Sequence, residues 1–88
     1  MTYSLRFTNL AERYLGRCDR ETRARIALKL RHLAEDPLNP AQSKLLTNMR
    51  GLRSARVGSI RILFMVLEEE EVLLVEDIGP RGQIYRRR

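Results

Sequence analysis

The chain has no tryptophan, one cysteine, one histidine and three prolines among its 88 residues. Each scarcity removes a class of protein. A lone Cys18 forms no internal disulfide, which suits a reducing cytosol, so a cytoplasmic location is expected. One cysteine and one histidine exclude the usual Cys/His zinc clusters. The longest apolar run, Ile62 to Leu67, falls far short of the roughly 20 residues that span a bilayer, so no membrane partner is expected. The opening "MTYSLRFT" lacks the apolar core of a signal peptide. No repeat or low-complexity tract appears, and 43% hydrophobic with 32% charged residues is the composition of a folded domain. A chain this short buries only about 60–65% of its unfolded surface, which points to one domain over residues 1–88.

Acid is missing from one long stretch. Residues 37–67 carry five basic side chains, Lys44, Arg50, Arg53, Arg56 and Arg61, and no carboxylate. Six acids follow within "EEEEVLLVED", residues 68–77, and four arginines, Arg81 and Arg86 to Arg88, close the chain. Basic stretches flanking an acidic turn give a one-sided field, the footprint of a polyanion binder. Charge alone leaves a second reading open, that of a protein which is merely basic.

What is present reads as an α+β fold. "TYSLRFT" alternates apolar and polar residues, a half-buried N-terminal strand. Asn9, with Glu12 three residues on, marks a first helix that lasts to about Gly16. Asp19 caps a second helix, whose Ile26, Leu30 and Leu33 share one face and which stops before Pro37. After the loop "DPLNPAQS" come three strand-like segments, 52–57, 60–67 and 72–78. Gly58-Ser59 is a two-residue hairpin turn, and the glutamates 68–71 form a solvated one. Gly79, Pro80 and Gly82 break the last strand and leave "QIYRRR" as a tail or edge strand. The order is therefore a strand, two helices and an antiparallel meander of three to four strands. The helices pack on one sheet face, which leaves the other partly open for a ligand.

If the Gly58-Ser59 turn holds, Arg56 lies directly across from Arg61. Facing like charges destabilise a strand pair. At about 4 Å they repel by about 1 kcal/mol in water and about 4 kcal/mol at an effective dielectric near 20. A phosphate between them reverses the sign, because its oxygens match the guanidinium fork. The alternative is that the arginines splay into solvent or pair with Glu76 and Asp77. Arg56, Arg61 and Arg81 taken together favour the anion site. Tyr85, near the late arginines, adds an aromatic of the kind that stacks on single-stranded RNA.

"GLRSARVGSIRILF" followed by "VLLVEDIGPRGQIYR" resembles the RelE branch of the RelE/ParE toxin superfamily. Asp36-Pro37, Lys44-Leu45, Arg56-Val57-Gly58, Arg61, Arg81 and Tyr85 supply its ordered motifs over nearly the whole chain. The resemblance implies a toxin that cleaves mRNA codons in the ribosomal A site, with no metal and no cofactor. A ribose 2′-hydroxyl attacks the adjacent phosphate, leaving a cyclic phosphate and a free 5′-hydroxyl. Arg61, Arg81 and Tyr85 are the implied catalytic residues. Lys44, Arg50, Arg53, Arg56 and Arg86 are expected to bind RNA phosphates. The implied partners are mRNA on the ribosome, with its ribosomal RNA, and an acidic antitoxin that covers or displaces the basic site.

Departures limit what carries over. The basic residue that RelE members often place on the strand before the hairpin is Ser54 here, so the proton-abstracting group is unassigned. Ile60 and Pro80 replace a common tyrosine and a frequent histidine. His32 lies on the second helix and is expected to be solvated. Two rival readings keep the fold: a ParE-like inhibitor of DNA gyrase, and an inactive relative that only binds antitoxin.

Overall fold

The computed structural model of the chain describes residues 2–47 and 49–86, with the side chains of all but Arg81, Tyr85 and Arg86. Strand β1 (Ser4–Phe7) turns Leu5 and Phe7 toward helices α1 (Asn9–Arg17) and α2 (Arg20–Glu35). Then follow β2 (Lys44–Leu45), β3 (Leu52–Val57), β4 (Ile60–Leu67), β5 (Val72–Pro80) and α3 (Arg81–Arg86). The five strands form one sheet in the order β1-β5-β4-β3-β2. Strand β1 runs parallel to β5, and every other neighbour is antiparallel.

Both sheet faces carry apolar clusters of unequal size. Ile26, Leu30 and Leu33 of α2 and Ala11 of α1 pack on Ala55, Ile62, Phe64, Leu73, Val75 and Ile78. On the opposite face a smaller cluster joins Leu52, Leu63 and Ile84, flanked by Leu46, Met49 and Met65. The expected arrangement of α1 and α2 on one face is what the structure has. Tail and last strand differ from expectation. Strand β5 continues through Gly79 to Pro80, and residues 81–86 are a helix rather than a tail or edge strand. Six residues are too few to display a helical period, and what anchors them is fully buried Ile84, a tertiary contact. The Lys44-Leu45 pair also proves to be a strand, the short outer edge of the sheet.

A bulge decides which residues of β5 face which way. Leu63 pairs with Asp77 but Phe64 pairs with Val75, so Glu76 is an extra residue. Past it the alternation inverts: Ile78 joins Val75 in the larger core, while Asp77 and Gly79 turn to the opposite face. The Glu76 carbonyl accepts a 2.7 Å hydrogen bond from the Thr8 hydroxyl, whose oxygen also accepts from Ala11 N–H at 3.2 Å. Thr8, rather than Asn9, is thus the cap of α1, and it ties the helix start to the bulge. At the other end, Arg23 of α2 donates to the Leu15 and Cys18 carbonyls at 3.1 and 2.8 Å, a cation on the negative end of α1.

Replacing Thr8 by valine keeps its shape and removes both bonds. We expect it to cost about 1–2 kcal/mol in urea denaturation; an unchanged midpoint would show that the cap and bulge do not depend on each other. Asp19 caps α2, accepting from Thr22 N–H at 2.9 Å. Hydrogen bonds from Thr22, side chain first and backbone second, hold its carboxyl below the ordinary value of 3.8. A depressed folded pKa adds stability above that ordinary value and loses it as pH falls through the folded one. Asp19→Asn, which caps without titrating, should therefore flatten the acid limb of a stability–pH curve.

Candidate nucleic-acid interface

Gly58 and Ser59 close the β3–β4 hairpin. Gly58 sits at φ 60°, whereas Ser59 does not have positive φ, the pattern of a turn with glycine in its first central position. The turn sets the register: Val57 pairs with Ile60, and Arg56 pairs with Arg61. Because Val57 and Ile60 pack against the α1/α2 side, alternation sends both arginines to the opposite face. Arg56 is exposed and Arg61 half-buried. The Nε of Arg61 is buried without a hydrogen-bond acceptor among the described residues. Neither guanidinium has an ion-pair partner among the described residues. Asp77 shares their face one row along the sheet, opposite Leu63, with Oδ1 accepting from Ile78 N–H at 2.8 Å.

A groove of about 330 Å³ opens here, lined by residues 40–44, Ser54, Ala55, Arg56 and Arg61, with no carboxylate in its wall. Lys44 enters it from β2, where its register partner is Ser54. The structure thus brings together Lys44, Arg56 and Arg61 of the expected phosphate ligands. Arg53 is not among them. It lies on the other face, and its Nε and Nη2 donate to Ser43 Oγ and the Ser43 carbonyl at 2.9 and 3.4 Å. Arg50 is exposed in the turn before β3 and lines none of this groove. Arg81, Tyr85 and Arg86 belong to α3, and their side chains lie outside the described residues. The backbone at Arg81 directly follows Gly79-Pro80, the partners of Arg61 and Ile60, so α3 begins at the hairpin end of the sheet.

An edge strand often carries charge simply to discourage pairing with another chain. That reading covers Arg56, because two-residue β2 pairs only with Arg53 and Ser54 and leaves residues 55–57 as a bare edge. It does not cover Arg61, whose strand β4 is flanked by β3 and β5. A larger cavity of about 480 Å³ lies between the α1–α2 junction and the Gly79-Pro80 end of β5, but its wall mixes Arg17 with Asp19 and it holds neither hairpin arginine.

A family model for the ParE toxin of type II toxin–antitoxin systems, parDE, matches residues 5–85. The chain belongs to this toxin family, within the RelE/ParE superfamily. No curated protein sequence matches it. Among solved structures it is similar to the RelBE2 toxin–antitoxin complex of Mycobacterium tuberculosis, at 26% identity and TM-score 0.76, covering 92% of this chain and 100% of that one. An E. coli RelE toxin mutant in the free state superposes at TM-score 0.81 with 23% identity, over 98% and 93% of the two chains. The RelE–RelB complex of Pyrococcus horikoshii gives TM-score 0.75 at 21% identity, over 94% and 99%. These likenesses carry the fold, and with the family match they make the chain a type II toxin.

The register sets two arginines directly across a strand pair, where like charges are expected to cost stability. Arg56→Thr should stabilise the free protein by up to about 1 kcal/mol at low salt, a gain that shrinks as salt screens the pair. Paired urea titrations at low and high ionic strength would reveal it; destabilisation at both would mean that Arg56 has a structural partner.

Proposed function

We propose that this toxin is a metal-independent endoribonuclease that cuts mRNA in the ribosomal A site and so stops translation in the cytoplasm. The observation that carries the reading is Arg61: a guanidinium on a central strand, its Nε buried and without an acceptor among the described residues, paired in register with Arg56 beside an acid-free groove. A phosphodiester supplies the acceptors and neutralises both charges.

In the proposed reaction the 2′-hydroxyl loses its proton to a base and its oxygen bonds to phosphorus. The bond from phosphorus to the 5′-oxygen then breaks, and that oxygen takes up a proton. Arg61 and Arg56 hold the doubly charged phosphorane, where fixed donors are worth more than in water. Arg81 and Tyr85, carried over from the RelE resemblance, would complete the phosphate clamp and stack on the nucleotide. The base is proposed to be Lys44. Ser54 leaves the usual position without a basic group, and Lys44 stands directly across from it in the same groove. Unlike arginine, a lysine amine gives up and accepts protons readily. The antitoxin partner, in keeping with the RelB complexes above, would cover this patch with an acidic segment.

A second reading, inhibition of DNA gyrase, draws on the ParE description of the matching family model. Mapping mRNA 5′ ends on translating ribosomes after induction, beside a gyrase supercoiling assay, separates the two. We expect in-frame cuts that a co-expressed acidic antitoxin suppresses. Arg61→Ala should lower cleavage by about 10²–10³-fold. Lys44→Arg should also abolish it while retaining ribosome binding, whereas full cleavage by Lys44→Arg would reduce Lys44 to a phosphate ligand. Intact mRNA with blocked supercoiling would decide for gyrase.

A further inference from the structure

Arg56 lines two grooves. Besides the hairpin groove, it borders one of about 290 Å³ on the α2 side, whose wall is Arg25, Leu28, Lys29, His32, Arg56, Val57 and Gly58. The cause is the short β2: it leaves residues 55–57 at a bare sheet edge, so the long Arg56 side chain stands where one face passes into the other. The second groove also has no carboxylate in its wall.

An ordinary solvated helix face would hold its cations apart in water, as Arg20 at the far end of α2 can. Arg25 instead reaches across to the hairpin turn. A Cβ at Gly58 would lie 3.0 Å from its Nη2, so the glycine lets this guanidinium close over the turn. Arg25 has no hydrogen-bond or ion-pair partner among the described residues. Lys29 donates from Nζ to Gln42 Oε1 at 2.8 Å, which draws the 40–44 loop of the first groove toward α2. His32, in the last turn of α2, is exposed along the same wall.

We propose that Arg25, Lys29 and His32 form a second phosphate-binding groove, continuous through Arg56 with the hairpin groove, which tracks the backbone of an RNA strand around the sheet edge. The inference rests on the endoribonuclease reading and extends it: the cleft at Arg61 takes the scissile phosphate, and the α2 groove takes neighbouring phosphates of the same strand. Cationic grooves of this kind grip single strands over about 4–16 nucleotides. Lysine and arginine contacts there would add affinity and orientation without reading sequence.

The test compares a trinucleotide with a longer RNA of about a dozen nucleotides, both with a 2′-deoxy linkage at the cleavable position. Binding is followed by fluorescence anisotropy over a salt series. For the longer RNA, the double variant Arg25→Gln/Lys29→Gln should flatten the slope of log K against log salt by about 1.4, two single-strand phosphate contacts. The trinucleotide slope should change far less, and Arg61→Ala should weaken both ligands. Circular dichroism confirms that each variant is folded. An unchanged slope for the longer RNA, with Arg61→Ala still effective, overturns the second groove and leaves the nuclease reading standing. An ineffective Arg61→Ala overturns both, whereas no measurable binding of the longer RNA by the unsubstituted protein overturns the second groove alone, because the nuclease reading places cleavage on the ribosome. Unchanged RNA binding by the double variant with lost binding of an acidic peptide would assign the groove to a protein partner instead.

Discussion

The register of the β3–β4 hairpin is the constraint on which the rest depends. Gly58 admits a backbone conformation that closes the turn in two residues, and that turn leaves Arg56 no position except opposite Arg61. Slipping the pairing by one residue would send one arginine into the packed core and lift an apolar side chain out of it. The burial of Ile62 and Phe64 against α2 therefore enforces a juxtaposition that electrostatics opposes. Core packing thereby holds the two like charges on one face against their own repulsion.

A second device makes the open face usable. The extra residue Glu76 inverts the alternation of β5, which places Ile78 in the core and small Gly79 beside Arg61. Without the bulge, Ile78 would face the groove side and Asp77 the core. Thr8 holds this irregularity to the start of α1, so the helix layer and the groove share one hydrogen-bonded junction. The site is positioned from the side of the molecule that it does not touch.

The two faces of the sheet differ in how they are covered. Helices α1 and α2 seal one with a continuous apolar layer, whereas α3 covers only part of the other through Ile84. Partial cover leaves the hairpin end open, and the brevity of β2 leaves its margin bare, so cationic side chains line the surface from Lys44 across Arg56 to Arg25. A low-dielectric sheet beneath such a row of cations focuses their field.

The primary structure alone determined a good deal. Strand alternation, the Asp19 cap, the stop before Pro37, the Gly58-Ser59 turn and the facing of Arg56 with Arg61 were legible because each rests on residues a few positions apart, whose geometry sterics fixes locally. Arg53, three residues before Arg56 on one strand, was also placeable on the far face by alternation. The helix at 81–86, the bulge at Glu76, the meeting of Lys44 with Ser54 and the approach of Arg25 to Gly58 were not legible. Each is set by a contact between segments distant in the chain: Ile84 on Leu63, Thr8 on Glu76, β2 on β3, α2 on the hairpin. Local residue patterns carry the period of an element but not the partner it packs against, and that partner decides which face, and which neighbouring charge, a side chain meets.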